Sequence, residues 1–185
     1  MLDRAANTDV VCFGSLAQRK ESSRGTIRAF LAAMKPQSLR IFDINLRQKF
    51  YDDDVITQSL KLANILKIND QELPVVCDLL KLPTDPKAAI AKLIAMFDLR
   101  LLVLTRGDKG SLLATREKTS EHPGIRPSNL ADTVGAGDAF TAAVAIGLLQ
   151  GRDLEEINAV ANRLASYVCT QPGATPPVPK EFRYQ

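Results

Sequence analysis

The chain has 185 residues, enough for one domain with a sizeable core, and its 45% apolar and 24% charged content is ordinary for a water-soluble globular protein. The net charge of +3 is small, and Lys and Arg form no runs interleaved with aromatics, which argues against nucleic-acid binding. Cys12, Cys77 and Cys169 lack metal-ligand spacing and suit a reducing, cytoplasmic compartment; Met1-Leu2-Asp3-Arg4 has no secretory apolar region, and no apolar run approaches a membrane span.

In chain order, Asp9 to Phe13 reads as a short buried strand ending in a turn at Gly14-Ser15. Ser22 to Lys35 reads as a helix with Ile27, Phe30, Leu31 and Met34 on one side. Leu39 to Ile44 is a second strand, and Asp52 to Ala63 a helix whose N-terminus is favoured by Asp52, Asp53 and Asp54. Asn64 to Ile68 is a third strand; Asp70 is expected to cap the short helix after it, with Pro74 tolerated in the first turn. Pro86 to Phe97 is helical, with Ile90, Leu93, Ile94 and Phe97 facing inward. Arg100 to Leu104 and Ser111 to Ala114 read as strands on either side of a Gly107–Gly110 turn, and His122 as a surface loop residue. Asp138 to Gln150 reads as a helix: Phe140, Val144 and Leu148 share a face, and Gly151 stands at the stop. Asp153 and Glu156 form a capping box for a last helix carrying Ile157, Val160, Leu164 and Val168, and Pro172 to Pro179 reads as a terminal tail.

This alternation predicts a parallel, doubly wound α/β sheet in a single domain spanning residues 1–185. Gly14, Asp43 to Arg47, Asn69 to Glu72 and Thr105 to Gly110 each follow a predicted strand. They are therefore expected to gather at the carboxyl edge of the sheet, where open α/β folds bind ligands, with the 132–138 turn beside them.

The chemistry concentrates in Ala131-Asp132-Thr133-Val134-Gly135-Ala136-Gly137-Asp138-Ala139-Phe140. Gly135 and Gly137 carry no Cβ, so an anion can approach the backbone, and the helix behind them points free N–H groups and its positive dipole end at the turn. A carboxylate repels a bound anion. Asp138 makes sense there if it takes a proton from a nucleophile attacking that anion. Phe140 occupies the place where a dinucleotide fingerprint needs a small residue, and no P-loop string occurs.

Other stretches carry two readings each. Asp43, Asn45 and Arg47 share one face of an extended segment; Arg47 either clamps phosphate oxygens or forms a structural pair with Asp43. Asn69-Asp70-Gln71-Glu72 is, most plainly, a helix start with a cap and a first-turn acid. Thr105 to Gly110 is a tight turn open to a nucleotide or a simple hairpin, and Asn162, taken alone, is a solvated helix residue.

The string Asp132-Thr133-Val134-Gly135-Ala136-Gly137-Asp138-Ala139-Phe140 resembles the C-terminal signature of the ribokinase-like (PfkB) carbohydrate kinases, and the likeness runs from Gly14 to about Pro179. It implies a three-layer αβα fold with a mostly parallel sheet. It also implies that Gly135, Ala136 and Gly137 form the anion hole for the transferring phosphoryl group and that Asp138 is the catalytic base. Phe42 to Arg47 resembles the fructokinase and 2-keto-3-deoxygluconate kinase branch, where the element lies beside the phosphates and the sugar. This implies binding roles for Asp43 and Asn45 and charge neutralisation by Arg47. Asn69 to Glu72 matches an Asn-x-x-Glu element that orients Mg²⁺ through water; Asp132 either positions Mg²⁺-bound water or braces the turn. Thr105, Gly107 and Gly110 match the nucleotide loop. Asn162 matches an adenine-pocket residue, with Gly173-Ala174 at the same pocket.

The resemblance thus implies ATP-dependent phosphorylation of a sugar or sugar-acid hydroxyl, with ATP and Mg²⁺ as cofactors and a monovalent cation such as K⁺ as a further candidate. A non-catalytic nucleotide-binding relic and a nucleoside kinase are the alternatives. No nucleic-acid or membrane partner is implied. Only the later part of such a kinase is matched: its earlier strands, Gly-Gly substrate segment and β lid have no counterpart ahead of Val10. The chain is therefore expected to be truncated at the N-terminus, with an open sheet edge that favours self-association or pairing with an N-terminal segment.

Overall fold

The computed structural model describes residues 1–47 and 51–182. Its strands are β1 (Val10–Phe13), β2 (Leu39–Asp43), β3 (Ile65–Asn69), β4 (Leu101–Thr105), β5 (Ser111–Ala114) and β6 (Thr119–His122). Its helices are α1 (Leu2–Ala6), α2 (Glu21–Ala32), α3 (Asp53–Leu62), α4 (Glu72–Leu80), α5 (Pro86–Phe97), α6 (Ala136–Leu149) and α7 (Leu154–Cys169). The six strands form one sheet in the order β1-β2-β3-β4-β5-β6. β1, β2 and β3 pair parallel, with Val10 opposite Leu39 and Ile41 opposite Ile65. β3 and β4 are nearly continuous apolar runs, buried at all but their last residue, as in mostly parallel sheets with helices on both faces. The architecture is three-layer α/β. The expectation of double winding is not met: among the described residues strand order follows chain order without the reversal that defines a doubly wound sheet.

Local chemistry sets the boundaries. Asp52, Asp85 and Asp153 each accept a hydrogen bond from the amide three residues on, at 2.7, 2.8 and 2.8 Å, and so start α3, α5 and α7. α2 ends at Ala32, short of the expected Lys35, because Pro36 excludes helical backbone at the residue before it. The N-cap position of α4 is Gln71, not the expected Asp70, and the helix start is covered by Asn69, whose Oδ1 accepts from the amides of Gln71 and Glu72 at 2.9 and 2.8 Å. α1 and β6 were not expected. β6 reads Thr-Ser-Glu-His, too polar and too short to show a strand pattern, and His122 is its last residue, with Nδ1 accepting from the Gly124 amide at 3.0 Å.

The chain folds as two compact units, one of residues 1–104 with 114–118, the other of residues 105–113 with 119 onward. The core of the first is built on Ile41, Phe42, Leu60, Ile65, Leu66 and Leu93, all fully buried, with the rings of Phe13 and Phe42 stacked at 5.2 Å. In the second, α6 lies along α7 with Phe140, Ala143, Val144 and Gly147 buried, and the expected inner face of α7 (Ile157, Val160, Leu164, Val168) is buried. The Pro-rich segment is docked, not loose: the Tyr167 hydroxyl donates to the Pro177 carbonyl at 2.9 Å and its ring stacks on Phe182 at 4.4 Å.

Gly110, the residue before β5, packs against the end of β6. Its φ is +82°, and a Cβ there would stand 1.9 Å from the His122 carbonyl oxygen. Gly110→Ala is expected to destabilise the protein by about 2–4 kcal/mol, from left-handed strain plus the steric clash. Urea denaturation measures it.

Candidate active site

The signature turn is held from behind. The Cys169 carbonyl, an orphan acceptor at the end of α7, takes the amides of Ala131 and Asp132 at 2.9 and 3.3 Å. Asp132 Oδ1 accepts from the Val134 amide at 3.0 Å, so this carboxylate braces the turn, as one of its two readings required. Gly135 then starts α6 with φ +82°, and a Cβ on it would stand 2.2 Å from the Ala174 carbonyl oxygen. Only glycine fits that contact and that φ. α6 begins two residues earlier than the expected Asp138, which puts Ala136, Gly137 and Asp138 in its first turn. Among the described residues, the amides of Gly137 and Asp138 have no backbone acceptor, and the exposed Asp138 carboxylate enters no hydrogen bond or ion pair. The helix start thus presents two amides without a backbone acceptor next to an exposed acid.

Next to this helix start lies a cavity of about 410 Å³, mostly apolar in its walls. It gathers six residues singled out from sequence: Thr105, Gly107, Gly110, Ala136, Gly137 and Asn162. Ile125, Pro127, Leu130 and Phe140 complete the apolar wall. The first three were missed, since they stand in irregular backbone with no periodicity to mark them. Gly173 does not line the cavity; its neighbour Ala174 backs Gly135 instead. Asn162 is buried and not solvated: its Nδ2 donates to Ser111 Oγ, to the Asn158 carbonyl and to Asn158 Oδ1 at 2.7, 2.8 and 3.0 Å. Cys169 also lines the cavity, and burial, helped by the Asp132 carboxylate, raises its thiol above the ordinary range.

In the first unit, three strand-end loops meet. Ser15 Oγ donates to the Ile44 carbonyl at 2.8 Å, and the buried Glu72 takes the Leu46 amide on Oε1 at 2.9 Å and the Asn69 amide on Oε2 at 3.0 Å. Glu72 thus fixes the ends of β2 and β3 to each other. The structural Asp43–Arg47 pair is replaced by another: Asp43 Oδ1 receives Lys67 Nζ at 3.0 Å, both side chains about nine-tenths buried. Lys67 was missed, although a lysine inside Ile-Leu-Lys-Ile-Asn is the signal that could have found it, and the two residues lie directly opposite in the parallel register. Asn45 is exposed with φ +42°, and Arg47 is exposed.

Residues 2–181 match the pfkB family of carbohydrate kinases, and the chain belongs to that family. An uncharacterised sugar kinase of Pyrococcus horikoshii is 31% identical over 180 residues, covering 93% of this chain and 54% of the relative. Its crystal structure in complex with ATP superimposes with a TM-score of 0.75 at 28% identity, covering 94% of this chain and 56% of that one. A fructokinase of Klebsiella pneumoniae is 34% identical over 157 residues (82% and 50% covered), and a nucleoside kinase of Methanocaldococcus jannaschii 26% over 129 residues (70% and 40%). The chain spans about half the length of the curated relatives it matches. No helix of the described residues is long and apolar enough to cross a membrane.

Two outcomes follow from this geometry. Lys67→Met removes the cation facing buried Asp43 and is expected to lower stability by about 3 kcal/mol or more in urea denaturation. Cys169 is expected to alkylate slowly, and only as pH rises above the usual thiol range, read by peptide mass spectrometry.

Proposed function

We propose that this chain binds ATP in the second unit's cavity and supports transfer of its γ-phosphoryl group to the hydroxyl of a small sugar or sugar acid. The observation that carries the reading is the first turn of α6: unpaired amides at Gly137 and Asp138, and an exposed, uncommitted Asp138 carboxylate, beside a nucleotide-sized cavity. The amides of the Gly135–Gly137 turn hold the transferring phosphoryl oxygens, where fixed dipoles stabilise developing charge. Asp138 accepts the proton of the attacking hydroxyl. Thr105, Gly107 and Gly110 border the nucleotide, and the apolar wall takes its base. In the first unit, the exposed Arg47 guanidinium suits phosphate oxygens bidentately. There Asp43, Asn45, Asn69 and Glu72 shape the loop that carries it.

Mg²⁺ fits as an ion that arrives with the nucleotide. Among the described residues no group of three or more His, Cys, Asp or Glu could hold a metal. A hydrated ion riding on phosphates needs only a carboxylate such as Asp132 to reach its waters, and it supplies charge neutralisation there.

A second reading is a nucleotide-binding module without turnover. It is favoured by the cavity being lined by the expected nucleotide residues while Asp138 lies outside it. ATP consumption against fructose, 2-keto-3-deoxygluconate, ribose and adenosine separates the readings and tests the nucleoside alternative. Asp138→Asn is expected to lower kcat about a hundredfold or more with ATP affinity within about twofold of the native chain. Retention of most of kcat overturns the base assignment; ATP binding with no turnover on any acceptor supports the module.

A further inference from the structure

The amino edge of the sheet in the first unit gathers positive charge that the strand-end loops do not use. Arg40 is the second residue of β2, about 10 Å along that strand from Asp43 and the loop beyond it. Arg100 immediately precedes β4. Asn64, just ahead of β3, ties the two backbones together. Its Oδ1 takes the Arg40 amide at 2.8 Å, its carbonyl takes the Arg100 amide at 2.8 Å, and its Nδ2 donates to the Ser38 carbonyl at 2.8 Å.

Both guanidiniums then turn onto one loop. Arg40 Nε donates to the Leu62 carbonyl at 2.7 Å, and its Nη1 lies 3.3 Å from the Lys35 carbonyl and 3.5 Å from that of Pro36. Arg100 Nη1 donates to the Gln37 carbonyl at 3.2 Å. Three consecutive carbonyls thus draw two cations side by side. The repulsion is felt: burial and the Arg100 charge hold the Arg40 guanidinium below its ordinary range. Lys35, exposed on the same loop, adds a third charge. Among the described residues no carboxylate pairs with any of the three, and Asp98, the acid nearest Arg100 in sequence, is bound to Arg116. The carbonyls occupy Nε and Nη1 of Arg40 and Nη1 of Arg100. Arg40 Nη2 and Arg100 Nε and Nη2 stay outside these bonds, and none of them is a buried atom left without a partner.

We propose that Arg40, Arg100 and Lys35 form a binding site for a phosphate-type dianion at the amino edge of the sheet. A guanidinium offers a planar fork of N–H donors that matches two phosphate oxygens, and a dianion cancels a repulsion that neutral carbonyls only offset. The site does not rest on the kinase reading, because none of its residues borders the nucleotide cavity.

Backbone amide NMR spectra of the isotope-labelled 185-residue chain, titrated with inorganic phosphate at constant ionic strength, test it. The amides of residues 37–40, 64 and 100 are expected to shift together and to saturate at roughly millimolar phosphate. Arg100→Gln, at an exposed side chain, is expected to weaken that titration about tenfold. Lys87→Gln, an equal loss of charge in the first turn of α5, is expected to leave it within about twofold. The amides of residues 136–138 report separately on the start of α6, so saturable shifts there alone overturn this site and leave the phosphoryl-binding reading standing. Shifts at residues 37–40 that never saturate, that sodium chloride reproduces, or that Arg100→Gln leaves unchanged also overturn it. The native titration against chloride decides the matter even where a variant fails to fold.

Discussion

Gly135 is the position on which the second unit's site depends. Its left-handed backbone lets the chain reverse from the 131–134 turn into α6, and its missing side chain leaves room for the Ala174 carbonyl. Both conditions act on one residue. A larger residue would have to push away the segment after α7 and rotate the first turn of α6, and with it the amides of Gly137 and Asp138. The opposite side of the turn is held by the end of α7, where the Cys169 carbonyl takes two amides. A helix C-terminus normally leaves such carbonyls to water. Here one of them anchors the turn that leads into the preceding helix, α6.

The same logic runs through the side chains that matter. Glu72 spends both oxygens on backbone amides, one from each of two strand ends. Asn69 spends its oxygen on two amides at the start of α4. Asn162 spends both N–H groups inside the protein. In each case a backbone group of fixed polarity determines the side chain's orientation, and what remains unspent is what a ligand can meet. Glu72 and Asn69 have little left and shape loops. Asn162 keeps its oxygen, and Asp138 keeps its whole carboxylate.

Much of this was legible in the residue pattern. Apolar runs and 3.6-residue periodicity located five of the six strands and the helices from α2 onward, since a buried strand and a one-sided helix leave different spacings. The glycine-turn start of α6 was legible because two glycines and an acid stand directly before an apolar helix. Contacts between residues far apart in sequence were not. Nothing near Asp43 shows that Lys67 lies opposite it, because that pairing follows from the register of two strands 24 residues apart. Asn162 looked solvated because its partner Ser111 lies on a strand 51 residues earlier, and its other partner, Asn158, is held by Ser120 of β6, a strand too polar to be recognised. Asp70 was expected as the cap of α4, but the oxygen that reaches the helix-start amides is that of Asn69.

Strand order bears on how a site arises in this fold. In a doubly wound sheet the crevice opens where strand order reverses and neighbouring loops diverge. Here order follows the chain, so the described sheet supplies no such crevice. The second unit makes its cavity by other means. A glycine turn between Thr105 and Gly110, an irregular apolar segment through Ile125, Pro127 and Leu130, and the facing sides of α6 and α7 enclose it. Its polar borders are set largely by backbone: amides at the start of α6, and an Asn162 side chain oriented by the Asn158 carbonyl. A site made this way tolerates wide change in its apolar wall, since hydrophobic contact is non-directional. It tolerates little at Gly135 and along the Ser120–Asn158–Asn162 chain, where a single reversed dipole or added carbon has no alternative arrangement to adopt.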